Sequence, residues 1–356
     1  VTPSELQDTV EAGEVVSKLD LSGADLSGVR LAGGVFEKVS FHGCALSRAS
    51  FQESTLIECD LSNADLSLAD LRHTTIVKCT LSRCNFKGAS MIAGSIVQSD
   101  LSGGRLDGAN LMIASIVECK LPRATLRAAN LDRTTIAQAD TVGLDVSSTH
   151  LKQTIFLKAD LTKSSLAGTT ADMAIFVEST LAGQNLRRGS FPKCQFAGTD
   201  LSGVDFTGAT LTQCNFKDAN LTDAKLDGAK AERALFVGAK LVRASFRRAV
   251  LTQSLFVEAD LTKADFSKAA MMQCNLTQSK CPRADFSGAE LTYADFSHAD
   301  LTAADLAGAT LFRAVLHRIK DKGANLGDRT AALGNDPDLA EAEDWPVKVR
   351  LKELEK

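Results

Sequence analysis

Ala64-Asp65-Leu66-Ser67-Leu68-Ala69-Asp70-Leu71 decides how the chain is read, because Ala-Asp-Leu returns after five residues. Stepping outward from Leu66 in fives, the position is apolar at every step but Thr141 from Leu21 to Leu316, a span of 295 residues and hence sixty positions without insertion or deletion. Fifty-five are Leu, Phe, Ile or Met; the others are Thr141, Val146, Ala171, Ala231 and Cys281. Two residues before each centre the side chain is small, as at Ala24, Ala109, Ala159, Ala259 and Ala299, with Ser, Thr, Gly or Cys as substitutes. Asp or Asn often stands between, as at Asp65 and Asp300.

Five residues advance an α-helix by ~140°, which would smear the centres around its surface. An extended strand fails too, since an odd period puts successive centres on opposite faces. A chain that turns a corner every five residues keeps all centres on one axis. Residues 76, 96, 116 and 136 are all Ile, and 156, 176, 196, 216, 236 and 256 are all Phe, so one side keeps its type every twenty residues and the rod has four sides. Sixty repeats then make fifteen coils, ~72 Å long at the usual strand spacing. The A-D/N-L-x-x pattern resembles the pentapeptide-repeat family. That resemblance implies an all-β fold: a right-handed quadrilateral parallel β-helix with four pentapeptides per coil.

The expected organisation is an N-terminal helical cap over 1–18, the β-helix over 19–318 and a C-terminal capping segment over 319–356. Thr2-Pro3-Ser4-Glu5 predicts a capped helix over about residues 3 to 12. Asn335-Asp336-Pro337-Asp338 starts a second short helix through Ala342. The stack should be weakest from Thr141 to His150, where a centre is polar and Leu144 fills a position meant for a small side chain.

A net charge of −4 over 356 residues fits neither a nucleic-acid binder nor a strongly acidic mimic. No apolar run reaches the roughly 18 residues of a membrane span, and no signal peptide is visible, so a soluble, cytoplasmic bacterial protein is expected. Because residue 1 is Val, the chain is expected to be a fragment of a longer polypeptide or a processed product.

Of nine cysteines, Cys44, Cys59, Cys79, Cys84, Cys119, Cys194, Cys214 and Cys274 take the small inward position and Cys281 is a centre, so buried small side chains are expected rather than disulfides or zinc ligands. His42, His73, His150, His298 and His317 are expected to point outward in different columns, unable to share a metal. There is no G-x-S-x-G, phosphate-binding Gly loop or H-E-x-x-H. The recurrent Asp and Asn read as turn formers. Neither enzymatic activity nor a cofactor or metal is expected.

Two outward columns stand out. One is apolar: Val77, Val97, Val117, Leu157, Val177, Val237 and Val257 after the centres, joined by Ile155, Ile175, Leu235 and Leu255 before them. Such a strip suits docking of another protein or of a missing N-terminal domain. The bland readings are cover by the terminal segments and β-branched filling that favours strands. Dimerisation through a rod end or this strip stays open. The second column is basic: Arg83, Arg123, Lys163, Arg243, Lys263 and Arg283, thickened by Lys240, Arg247 and Arg248. With acids nearby and no aromatics, it reads as a solvated face and not a nucleic-acid groove.

In the family resembled, the best-known activity is imitation of B-form DNA to bind DNA gyrase, which needs a strongly negative surface that this chain lacks. The tail Asn325-Leu326-Gly327-Asp328-Arg329, Ala332-Leu333-Gly334-Asn335-Asp336-Pro337 and Glu341-Ala342-Glu343-Asp344-Trp345 also resembles the end of pentapeptide regions in type VI secretion accessory proteins. The recurring Ile-Val-Glu, Phe-Val-Glu and Phe-Val-Gly turns are similar to the same group. That resemblance implies a scaffold or adaptor role in loading a spike-tip protein or effector.

Overall fold

A computed structural model describes residues 1–345. Helix α1 (Pro3–Glu11) leads into β1 (Val15–Ser17), β2 (Val35–Glu37), β3 (Thr55–Ile57), β4 (Thr75–Val77), β5 (Ser95–Val97), β6 (Ser115–Val117) and β7 (Thr135–Ala137). Then follow β8 (His150–Lys152), β9 (Ile155–Leu157), β10 (Thr170–Asp172), β11 (Ile175–Val177) and helix α2 (Pro337–Asp344). The fold is an all-β parallel β-solenoid with a short helix at each end of the described chain.

Partners across the ladder lie twenty residues apart, from Val15↔Val35 to Asp295↔Val315. The coil is therefore the expected twenty residues. All sixty centres are buried, Thr141 included. Four faces follow in chain order: the first holds Val15–Ser17 and its stacked counterparts, and the second, third and fourth begin with centres Leu21, Leu26 and Leu31. The first carries a nine-stranded sheet, β1-β2-β3-β4-β5-β6-β7-β9-β11, while β8 and β10 pair on the fourth. In β4, β5 and β6 the flanks of the centre are Thr or Ser and Val, side chains that suit a pleated, half-buried surface. Where the flanks become Gln195, Ala197, Asn215 and Lys217, the ladder narrows to single bridges.

The repeat positions have separate tasks. An Asp before the centre accepts the amide two residues on, as Asp65 Oδ1 does from Ser67 at 3.0 Å, so the turn-former reading holds. The residue two past the centre sits in the left-handed region, as at Asn63 (φ 60°) and Arg83 (φ 57°). A hydroxyl or thiol at the small position donates to a centre carbonyl of the preceding coil: Ser54 Oγ to Leu31 at 2.6 Å and Cys84 Sγ to Leu61 at 2.7 Å. That carbonyl also accepts a turn amide, Ala64 N–H to Leu61 at 3.0 Å. Its second lone pair lets Ser, Thr and Cys replace Ala without an unpaired buried group.

In the core, Phe156, Phe176, Phe196, Phe216, Phe236 and Phe256 form one stack with centroid spacings of 5.5, 5.1, 5.1, 4.9 and 4.8 Å. All nine cysteines are buried and free. Burial pushes the Cys84, Cys194, Cys274 and Cys281 thiols up to about 12.

Helix α1 has the expected capping box, with Thr2 Oγ1 accepting from Glu5 N–H and Glu5 accepting from Thr2 N–H, and buries Leu6 and Val10 against the first coil. The ladder starts at Val15, inside the segment read as the cap, and continues to Lys320 and Asn325, which bridge to Asp300 and Asp305. Helix α2 ends two residues beyond Ala342 and is capped by Asp336.

Candidate docking surface

The apolar column lies on the first face, where β4 to β7, β9 and β11 align it in register: Val77↔Val97, Val97↔Val117, Val117↔Ala137, Ala137↔Leu157 and Leu157↔Val177. Ile155 and Ile175 pair on its other side. Ile57, which the sequence reading passed over, extends it by pairing with Val77. Its alignment with that column was the available signal. The strip is half-buried rather than fully outward, because each side chain leans on its neighbours one coil away. Leu235, Val237, Leu255 and Val257 form a separate patch, cut off by Asn215 and Lys217; Leu235 is its most exposed member at 37%.

The described terminal segments leave the strip open. Helix α1 packs on β1, and α2 bonds to His298, His317 and Arg318 at the far end of the same face. No described helix is long and apolar enough to cross a membrane.

The family description "Pentapeptide repeat region" matches residues 34–111, and "Pentapeptide repeats (8 copies)" matches 174–213, 214–253, 239–278 and 279–318. The chain is a pentapeptide-repeat protein. Among solved structures it is similar to HetL, a pentapeptide repeat protein involved in heterocyst differentiation regulation from Nostoc sp. strain PCC 7120, at 20% identity over 94% of this chain and 97% of that one, with a TM-score of 0.24. It is also similar to full-length QnrB1, a plasmid-mediated fluoroquinolone resistance protein, at 19% identity over 59% of this chain and 92% of that one, with a TM-score of 0.31. No curated protein matches.

On this pentapeptide rod the basic column runs along the edge between the second and third faces, all six members exposed. It is interleaved with glycine: a Cβ added at Gly103 or Gly143 would stand 3.6 or 3.5 Å from the Cγ of Arg83 or Arg123. Those stems therefore lie over bare backbone. Arg243 pairs with Asp223 at 2.5 Å, and Arg247 with Asp227 at 2.8 Å, so part of the positive charge is answered locally. Lys163, Lys263 and Arg283 extend without an ion-pair partner among the described residues.

The histidines depart from expectation. His317 is buried, 1% exposed, and its ring centroid lies 5.5 Å from that of His298. Residues at adjacent positions of successive coils meet across the corner, although they occupy different columns. Glu343 of α2 joins them: His298 Nε2 lies 3.0 Å from Oε1 and His317 Nε2 3.2 Å from Oε2. Two histidines and a carboxylate could hold zinc, but the hydrogen bonds oppose it. The Asp336 amide donates to His317 Nδ1 at 3.1 Å, so the proton of the neutral ring is on Nε2, which leaves no lone pair there for a metal. Arg318 Nε also takes Glu343 at 3.3 Å. The cluster is a latch: His317 touches the residue that caps α2 and a carboxylate near its other end, while Arg318 holds the Ala340 carbonyl at 2.8 Å.

Proposed function

We propose that the rod is a non-enzymatic protein-binding scaffold, with the apolar strip of its first face as the docking surface. The observation that carries this is the in-register run Ile57, Val77, Val97, Val117, Leu157 and Val177 along a parallel sheet that the described terminal segments leave open. Consecutive apolar side chains on a straight sheet offer a partner a long, shape-regular contact. The other faces present mixed polar corners there, typified by the Ser/Asp turns and Arg–Asp pairs. The partner is a second protein or a further domain of the same polypeptide.

The finer reading is an adaptor of type VI secretion. It is supported by the tail motif, in which Glu343 and Asp344 make the latch and Asp336 caps α2. The test is recovery of a bound protein by the wild-type rod and by Val97→Asp/Val117→Asp/Leu157→Asp/Val177→Asp with its circular dichroism unchanged. Loss of the partner supports the strip; undiminished recovery refutes it. Recovery of a secretion-spike protein supports the adaptor reading, and its absence from the captured proteins counts against it. Gyrase binding is the alternative. The arginines of the second and third faces argue against DNA mimicry, and unchanged supercoiling at micromolar rod removes it.

A further inference from the structure

The ladder between coils slips at one corner. On the second face, Leu121 N–H donates to Asp140 at 2.7 Å and Leu161 N–H to Thr180 at 2.9 Å. Between them Asp140 and Asp160 are not bridged, and the Thr141 amide makes no ladder bond. On the third face, Ser165 N–H reaches Leu144 at 2.8 Å, but Ser165 and Asn185 are not bridged. The turn 161–165 thus keeps its successor on one face and its predecessor on the next. It steps between layers, and Lys163 at its apex lacks the positive φ of Arg123 (58°) and Arg243 (58°) in the same column.

Side chains stitch the gap. Thr141 Oγ1 donates to the Asp160 carbonyl at 2.6 Å and Ser164 Oγ to Thr141 at 3.0 Å. Gln184, in a position usually given to Ala, sends Nε2 to the carbonyls of Leu161 at 2.6 Å and Ser164 at 2.9 Å. The opposite edge is intact, with β7-β9-β11 and β8-β10 paired in full. The core is also thin: Thr141, Val146 and Ala171 are three of the five exceptional centres, and the widest step of the Phe stack, 5.5 Å, is Phe156 to Phe176.

We infer that the rod is two stiff blocks that bend at the 161–165 corner. The edge between the second and third faces opens, while the edge between the fourth and first is the hinge line. Opening there exchanges a few side-chain bonds for water, whereas opening the edge between the fourth and first faces breaks the backbone rungs of β7-β9-β11 and β8-β10. The apolar strip stays continuous through the hinge, since it lies on the first face, where β7, β9 and β11 remain paired in full.

The experiment is a spin-label distance measurement on the whole chain. All nine native thiols are buried, so labels go to introduced cysteines on the surface. Arg123→Cys with Asp223→Cys spans the junction on the opening edge, and Arg133→Cys with Arg233→Cys spans it on the hinge edge, each over five coils or ~24 Å. The first pair should give a distance distribution about twice as broad as the second. Gln184→Ala should broaden the first further and leave the second unchanged. Equal widths, or a first pair indifferent to Gln184→Ala, overturn the inference.

Discussion

Phe216→Ala tests how the rod is held together. Phe216 is fully buried between Phe196 at 5.1 Å and Phe236 at 4.9 Å, with Phe206 edge-on at 6.4 Å. Truncating a buried Phe costs about 3 to 5 kcal/mol in lost transfer energy and cavity. That equals about two to four decades of amide exchange protection at tenfold per 1.4 kcal/mol. In a solenoid each coil touches only its neighbours, so the loss should stay local. The reporters are the rungs Phe196 N–H to Asn215 and Phe216 N–H to Leu235, both 2.7 Å, with Phe51 N–H to Asp70 as the distant control. Phe216→Leu should cost only about 1 to 2 kcal/mol, keeping an apolar side chain but losing the ring stack. Hydrogen exchange read by mass spectrometry resolves both variants. A loss below about 1 kcal/mol for Phe216→Ala, or an equal loss at Phe51, refutes the reasoning.

Thr2→Ala removes half of the capping box and should weaken α1 by about 1 kcal/mol, seen as faster exchange in its first turn alone. The latch should open in acid. For Glu343, partial burial pushes the carboxyl up, but bonds from His317 and His298 outweigh it; the Arg318 hydrogen bond lowers Asp344, and both carboxyls end below their ordinary 4.5 and 3.8. A depressed carboxyl stabilises the seated helix above its unfolded value, so α2 should stay docked above about pH 4.5 and release as the pH falls below it. Fluorescence anisotropy of Trp345, the one tryptophan, follows this, and a flat trace to pH 3 contradicts it. Native protein at pH 8 should react with an aromatic disulfide reagent at none of its nine thiols, and at all nine once unfolded. Ile113→Gly should stabilise by up to about 1 kcal/mol, because Ile113 is exposed and β-branched at φ 61°. A thermal melt decides the sign.

The five-residue step made the fold legible, because every centre has one destination and tolerates no slip. The caps were legible too, since Thr2, Pro3, Glu5 and Asp336 act on their own helix within a few residues. The latch was not: His298, His317 and Glu343 lie 19 and 26 residues apart in sequence, and a column frame keeps positions 17 and 18 of the coil separate although their side chains meet. The sequence placed the weakest stacking at Thr141 to His150; the missing rungs begin at Thr141, and the turn that steps between layers, 161–165, sits one coil later. What marks it is Gln184, a long amide in a small residue's place. On the strip, the sequence showed which residues align but not that stacking half-buries them, nor that Asn215 and Lys217 divide it.

The interleaving of Arg83 and Arg123 with Gly103 and Gly143 has a wider consequence. There the corner side chain rests on the residue at the same place one coil onward. Each column is thus a tape with marks ~4.8 Å apart, and one mark can be rewritten while three other tapes keep their text. Selection can grade charge or bulk along one edge of such a ruler without retuning the core that sets its length.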